Sequence, residues 1–199
     1  SPFIGNRLMP AYATGVVGTR GVRLAEEQIY RISGGKVSGG VGGTGKKANE
    51  ANKTKTIISP EMEEKILWGQ RKDPNKNKII GGHSPNINNS HPNYATETIS
   101  VNPDGTKSIK YTTQFSDGNL AKIKTSTVFP DGWSDTKILD SIAGIGNFTP
   151  ISIRGRDGAT WHRGIVDGVE IDVIKKGDHV ISGYPTGKTN GPAPVGFTK

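Results

Sequence analysis

The chain has 199 residues, of which 32% are hydrophobic and none is cysteine, and it carries a formal net charge of +8. That length admits one ordinary domain plus extensions, while the lack of thiols excludes disulfide staples, thiolate zinc sites and cysteine nucleophiles. No run of 18 apolar residues and no signal-type leader occurs, and the first residue is Ser; the sequence reads as a soluble piece of something longer. The charge is uneven: residues 1–60 hold 9 Lys/Arg against 3 Asp/Glu, residues 61–187 hold 15 against 15, and residues 188–199 hold 2 against none. The basicity therefore belongs to the extensions. Within the domain, however, residues 65–124 carry 9 basic against 4 acidic groups, which leaves room for a local cationic face.

In chain order, Gly21–Ile32 could form three helical turns, but nothing nearby offers a surface to pack on. The next stretch, Ser33–Lys47, is linker in composition, with seven glycines among residues 34–45. Inside it, Gly40–Lys47 approaches a phosphate-binding loop. It lacks the hydroxyl, the preceding strand and the following helix that such a loop requires, so flexible linker is the better reading. Residues 1–58 are thus expected to be a basic, Gly-rich arm, linker or delivery segment.

Order is expected from Ser59, a helix cap followed by Pro60 at the first helical position and by Glu61, Glu63 and Glu64 at the positive end of the helix dipole. The pattern then changes to period two. Tyr94–Val101, Lys107–Phe115 and Leu120–Phe129 alternate and are separated by Asp-Gly turns, as an antiparallel meander would be. A second helix is expected after Ser134, with Ile138, Leu139, Ile142 and Ile145 on one face. Four short strands follow up to Pro185, and residues 188–199 read as a tail. The class is α+β, a helix-then-sheet unit repeated once, with the domain at 59–187.

Of the four histidines, His83 and His91 share the segment IIGGHSPNINNSHPNY, residues 79–94. Joining them to Glu97 as a metal triad has nothing to recommend it, because no matching ligand spacing occurs. Two imidazoles and a lysine without metal suit another chemistry. One histidine takes a proton from a nucleophile, the other supplies one to a leaving group, and an ammonium offsets charge on phosphate. RNA cleavage through the substrate's own 2'-hydroxyl needs only these groups and leaves a 2',3'-cyclic phosphate. Trp68, Trp133 and Trp161 read as core or rim, His162 and His179 as structural or exposed, and Arg154, Arg156 and Arg163 as candidate phosphate contacts. The Thr-rich and Gly-rich composition also allows an alternative, a non-catalytic β-rich surface-binding (adhesin) module.

Three blocks carry a resemblance. They are KILWGQRKDPNKNKIIGGHS (65–84), KTSTVFPDGWSDTKILDSI (124–142) and GVEIDVIKKGDHVISGYPT (168–186). In this order they resemble the bacterial EndoU nuclease domain over about residues 61–187. The resemblance implies an EndoU-like fold with two antiparallel β-sheets and helices packed against them. It also implies an endoribonuclease without metal or cofactor, of the kind found at the C-termini of contact-dependent growth inhibition toxins. Such a toxin would be secreted or displayed on the cell surface within a larger protein and would act on RNA, such as tRNA, in the target-cell cytoplasm. It would have a cognate immunity protein as partner and no stable membrane association.

Carried over by position, His83 matches the family's Gly-Gly-His acid/base residue. The family's other histidine often starts the block where this chain has Lys65 or Glu64, so His91 is put forward as the second imidazole. The catalytic lysine would be Lys122, four residues before Ser126, with Lys124 on the same face as the alternative. Tyr184 resembles the base-stacking tyrosine, with Ser182 or Thr186 as a polar contact to base or phosphate.

Overall fold

The computed structural model describes residues 55–199. The expected helix at 21–32, the Gly-rich linker and the near-phosphate loop all lie outside the described residues. Against the expected arm reaching to 58, Thr56 and Ile58 are buried and the Ile57 backbone bridges in parallel to His179, so the packed domain starts a few residues before Ser59. Helix α1 (Pro60–Trp68) starts as its sequence dictates: the Ser59 hydroxyl accepts from the Met62 N–H at 3.1 Å, with Pro60 behind it. Such a cap is worth about 1 kcal/mol. Ile66 and Leu67 point into the core.

After α1 a two-stranded ribbon pairs β1 (Gln70–Arg71) with β2 (Ile79–Ile80). The meander follows as β3 (Tyr94–Val101), β4 (Lys107–Thr113) and β5 (Lys124–Val128), antiparallel in the order β3-β4-β5. Its turns have glycine where φ is positive, at Gly105 and Gly118. The third strand is shorter than its sequence pattern suggests. Leu120 still bridges Gln114 and Ala121 N–H donates to Thr113 O, but Lys122 N–H turns to Asn77 O at 2.9 Å, and the strand proper begins at Lys124.

Helix α2 (Asp135–Ile145), capped by Ser134, is buried at every residue from Ile138 to Ile145. It covers one face of the second sheet, β6 (Ser152–Ile153), β7 (Thr160–Val166), β8 (Val169–Lys176) and β9 (His179–Pro185), ordered β6-β7-β8-β9. β8 lies inside that sheet and is covered on both sides. Val169, Ile171 and Val173 join the main core, while Ile174 packs with Ala159, Trp161 and Phe197 in a second cluster. The fold is α+β, with the two expected sheets and the small ribbon in addition.

Phe197 belongs to the stretch that reads as a tail, and here the structure departs from that expectation. Residues 190–197 lie against the second sheet, held by buried charges. Glu170 accepts from Asn190 and Gly191 N–H groups at 2.9 Å each, and Arg163 donates to Gly191 O and Pro192 O. Arg163 is itself paired with Asp172 at 2.7 and 2.9 Å, and Trp161 Nε1 donates to the same carboxylate at 2.8 Å. Arg154, paired with Asp157, lies over the Phe197 ring. Two of the three candidate phosphate-binding arginines thus serve the fold. Arg156 remains exposed.

Candidate active site

The site grows out of the end of α1. A helix leaves its last four carbonyls short of intrahelical partners, and here the Gly69 cap and the chain beyond it meet all four. Lys65 O accepts from Gly69 and Gly82, Ile66 O from His83 N–H, Leu67 O from Ser84 N–H, and Trp68 O from the Tyr94 hydroxyl. The GGHS segment is therefore laid along the helix terminus, residue by residue. Only glycine permits this approach at position 81, where φ is +80° and a Cβ would stand 2.0 Å from Lys65 O. At Gly82 a Cβ would meet the Tyr111 hydroxyl at 2.3 Å. That hydroxyl, on β4, donates to Gly81 O at 2.9 Å and ties the loop to the first sheet.

This anchoring sets the His83 ring against β5. His83 Nδ1 lies 2.8 Å from Thr127 O and 3.1 Å from Ser126 Oγ, and the Ser126 hydroxyl donates to Gly82 O at 2.8 Å. A carbonyl can only accept, so Nδ1 carries the proton and the lone pair of the neutral ring is on Nε2. Burial pushes the imidazole pKa down from 6.5 to about 3, helped by the Lys124 ammonium and then by Lys65, with the Thr127 hydrogen bond acting in the opposite sense. At neutral pH the ring is therefore an uncharged base.

Around His83 opens a cleft of about 410 Å³, lined among others by Lys65, Lys124, Ser126, Ser182 and Tyr184. β5, the end of α1 and β9 line it, β9 packing against both of the others, and the Lys65 ammonium donates to Ile181 O at 2.6 Å. Burial lowers the pKa of both lysines, and each also lies near a second cation: Lys72 for Lys65, and Lys65 then Lys78 for Lys124. Two partly desolvated ammonium groups, each beside a further cation, form a site that an anion would relieve. The Tyr184 ring sits 6.0 Å from the His83 ring at 36°. Burial, and then the Asp172 carboxylate, pushes its phenol up to about 12, so it remains neutral. Among the described residues, no group of three or more His, Asp or Glu side chains is placed to hold a metal ion.

Residues 59–187 match the model of the bacterial EndoU nuclease family. The chain belongs to that family. Membership in the bacterial EndoU nucleases implies ribonuclease activity, hence an RNA substrate. Comparisons with curated proteins and with solved structures returned no match.

Of the residues singled out in sequence, the EndoU cleft brings together His83, Lys124, Ser126 and Tyr184, with Ser182 beside them. Three others lie elsewhere. The His91 ring packs on Trp68 and Tyr94, with centroids at 5.3 and 4.9 Å, and its Nδ1 accepts from Asn93 N–H; the loop after Ser84 runs toward β3 rather than back to His83. Lys122 is exposed and precedes the strand. The Thr186 hydroxyl is engaged by Glu170 Oε1 at 2.8 Å and Lys188 O at 2.7 Å. Lys65 is the cleft residue that sequence reasoning passed over. Its signal was present in the block where the family often has histidine, but it reads there as a missing group rather than as a different one.

Proposed function

We propose that this chain is an endoribonuclease that cleaves RNA by transesterification, without a metal ion, and leaves 2',3'-cyclic phosphate ends. The observation that carries the reading is a neutral histidine, its tautomer set by a carbonyl, sharing an open cleft with the ammonium groups of Lys124 and Lys65. His83 Nε2 takes the proton of the 2'-hydroxyl, and the 2'-oxygen attacks the adjacent phosphorus. Lys124, on the same wall as His83, offsets the charge that gathers on the non-bridging oxygens, where a preorganised cation in a partly dry site is most effective. Ser126 holds the His83 ring in place. Tyr184 offers an aromatic face for a base, and Ser182 a hydroxyl beside it, which suits an unpaired nucleotide in a loop or single strand.

The biological setting follows the family resemblance: a toxin module of interbacterial competition, delivered from a larger surface protein, acting on tRNA and neutralised by an immunity protein. The surplus of basic residues between 65 and 124 favours an acidic partner face.

The purified protein incubated with total tRNA in EDTA should yield discrete fragments bearing cyclic phosphate, identified by end-specific ligation. Intact RNA, or fragments ending in a simple 3'-hydroxyl, would refute the mechanism. Growth arrest on expression inside a bacterium, relieved by the co-expressed neighbouring gene product, is the expected result for the toxin reading.

A further inference from the structure

Transesterification requires a proton at two places: one leaves the 2'-oxygen and one reaches the departing 5'-oxygen. His83 answers the first. For the second, His91 is held in the Trp68–Tyr94 cluster, and His83 is the one histidine lining the cleft among the described residues. Tyr184 presents its ring beside His83, centroids 6.0 Å apart, which suits stacking on a base. That leaves the two lysines. Attack and departure occur in line through phosphorus, so the acid belongs across the cleft from the base. His83 is fixed to β5 through Thr127 O, and Lys124 rises from that same strand. Lys65 reaches the same cleft from a different element, the end of α1, and its ammonium is held at β9 by the hydrogen bond to Ile181 O.

We infer that Lys65 is the general acid of this enzyme, donating an Nζ proton to the 5'-oxygen as the phosphorus–oxygen bond breaks; the inference rests on the transesterification reading above. The atoms balance. The 2'-oxygen–phosphorus bond forms as its proton passes to His83 Nε2; the 5'-oxygen leaves with the proton of Lys65, giving a free 5'-hydroxyl and a 2',3'-cyclic phosphate. Solvent then restores the imidazole and the ammonium. The anchoring of Lys65 suits the task. Its carbonyl seats Gly82, so the backbone that carries the acid also fixes the loop that carries the base. Burial and Lys72 lower the affinity of its amine for the proton, which makes it a better donor than a solvated lysine.

The test separates proton donation from charge and from folding. An RNA oligonucleotide carrying a sulfur in place of the 5'-oxygen at the mapped cleavage site has a leaving group that needs no proton. Lys65→Met should slow cleavage of the ordinary oligonucleotide about 100-fold or more, but that of the sulfur analogue only a few-fold. Lys65→Arg, which keeps the charge but cannot release a proton, should behave the same way. His83→Asn should slow both substrates. Thermal melts confirm that the variants are folded. Equal losses on both substrates, rescue by arginine on the oxygen substrate, or no loss at all would overturn the assignment of Lys65. Failure of the unsubstituted enzyme to cleave either oligonucleotide would instead overturn the transesterification reading, and this assignment with it.

Discussion

Replacing His83 with Asn should remove much of the acid sensitivity of folding that this side chain imposes. In the native state burial, Lys124 and Lys65 hold the imidazole neutral down to about pH 3, whereas the unfolded chain protonates it near 6.5. Below pH 6.5 the unfolded state thus binds a proton that the native state does not. Stability is then lost as pH falls from 6.5 toward 3, at up to about 1.4 kcal/mol per pH unit. Between pH 6.5 and 5 this amounts to about 2 kcal/mol. Because the ring borders an open cleft, water screens part of the effect, and about 1–2 kcal/mol is expected. Asparagine keeps a side-chain N–H for Thr127 O but does not titrate. Urea unfolding at pH 7, 6 and 5 should show the unsubstituted protein losing that much more than His83→Asn. His162, whose pKa burial also lowers, contributes equally to both and cancels. Parallel losses would show that His83 ionises as freely in the fold as out of it, and the argument for a pre-neutralised base would fail.

Lys124→Met should cut RNA cleavage about 100-fold while Lys122→Met leaves it near the starting rate, because only the former lines the cleft; the assay is initial rate on tRNA. Gly81→Ala should cost at least about 1–3 kcal/mol from the positive φ alone, and more from the clash with Lys65 O, read as a lowered denaturant midpoint together with lost activity. Phe197→Ala should cost about 3 kcal/mol by opening the cluster with Trp161 and Ile174. Its cleavage rate at low temperature should be retained, since no residue of that cluster lines the cleft.

Much of the frame was legible because its causes are local. Ser59 and Ser134 cap helices within three residues of themselves, and the Asp-Gly pairs at 104–105 and 117–118 close turns between adjacent strands. What escaped was set by distant partners. That Lys124 lines the cleft and Lys122 does not goes with a hydrogen bond from Lys122 to Asn77, 45 positions away, which interrupts the pairing just before Lys124. His91 is eight residues from His83, yet aromatic packing on Trp68 draws it elsewhere. Residues 188–199 have the composition of a tail, and nothing local shows that Glu170 and Arg163 hold their backbone. His83 and Tyr184, which the resemblance singled out, do line one cleft, whereas the place of Lys65 in it depends on how the end of α1 meets β9.

The seating of Gly82, His83 and Ser84 on consecutive carbonyls of α1 makes the helix terminus and the site a single cooperative unit. No hinge separates them. In hydrogen exchange the amides of 82, 83 and 84 should open together and at one free energy, that of unwinding the last turn of α1. A partner that gripped this turn from outside could therefore silence the nuclease without entering its cleft.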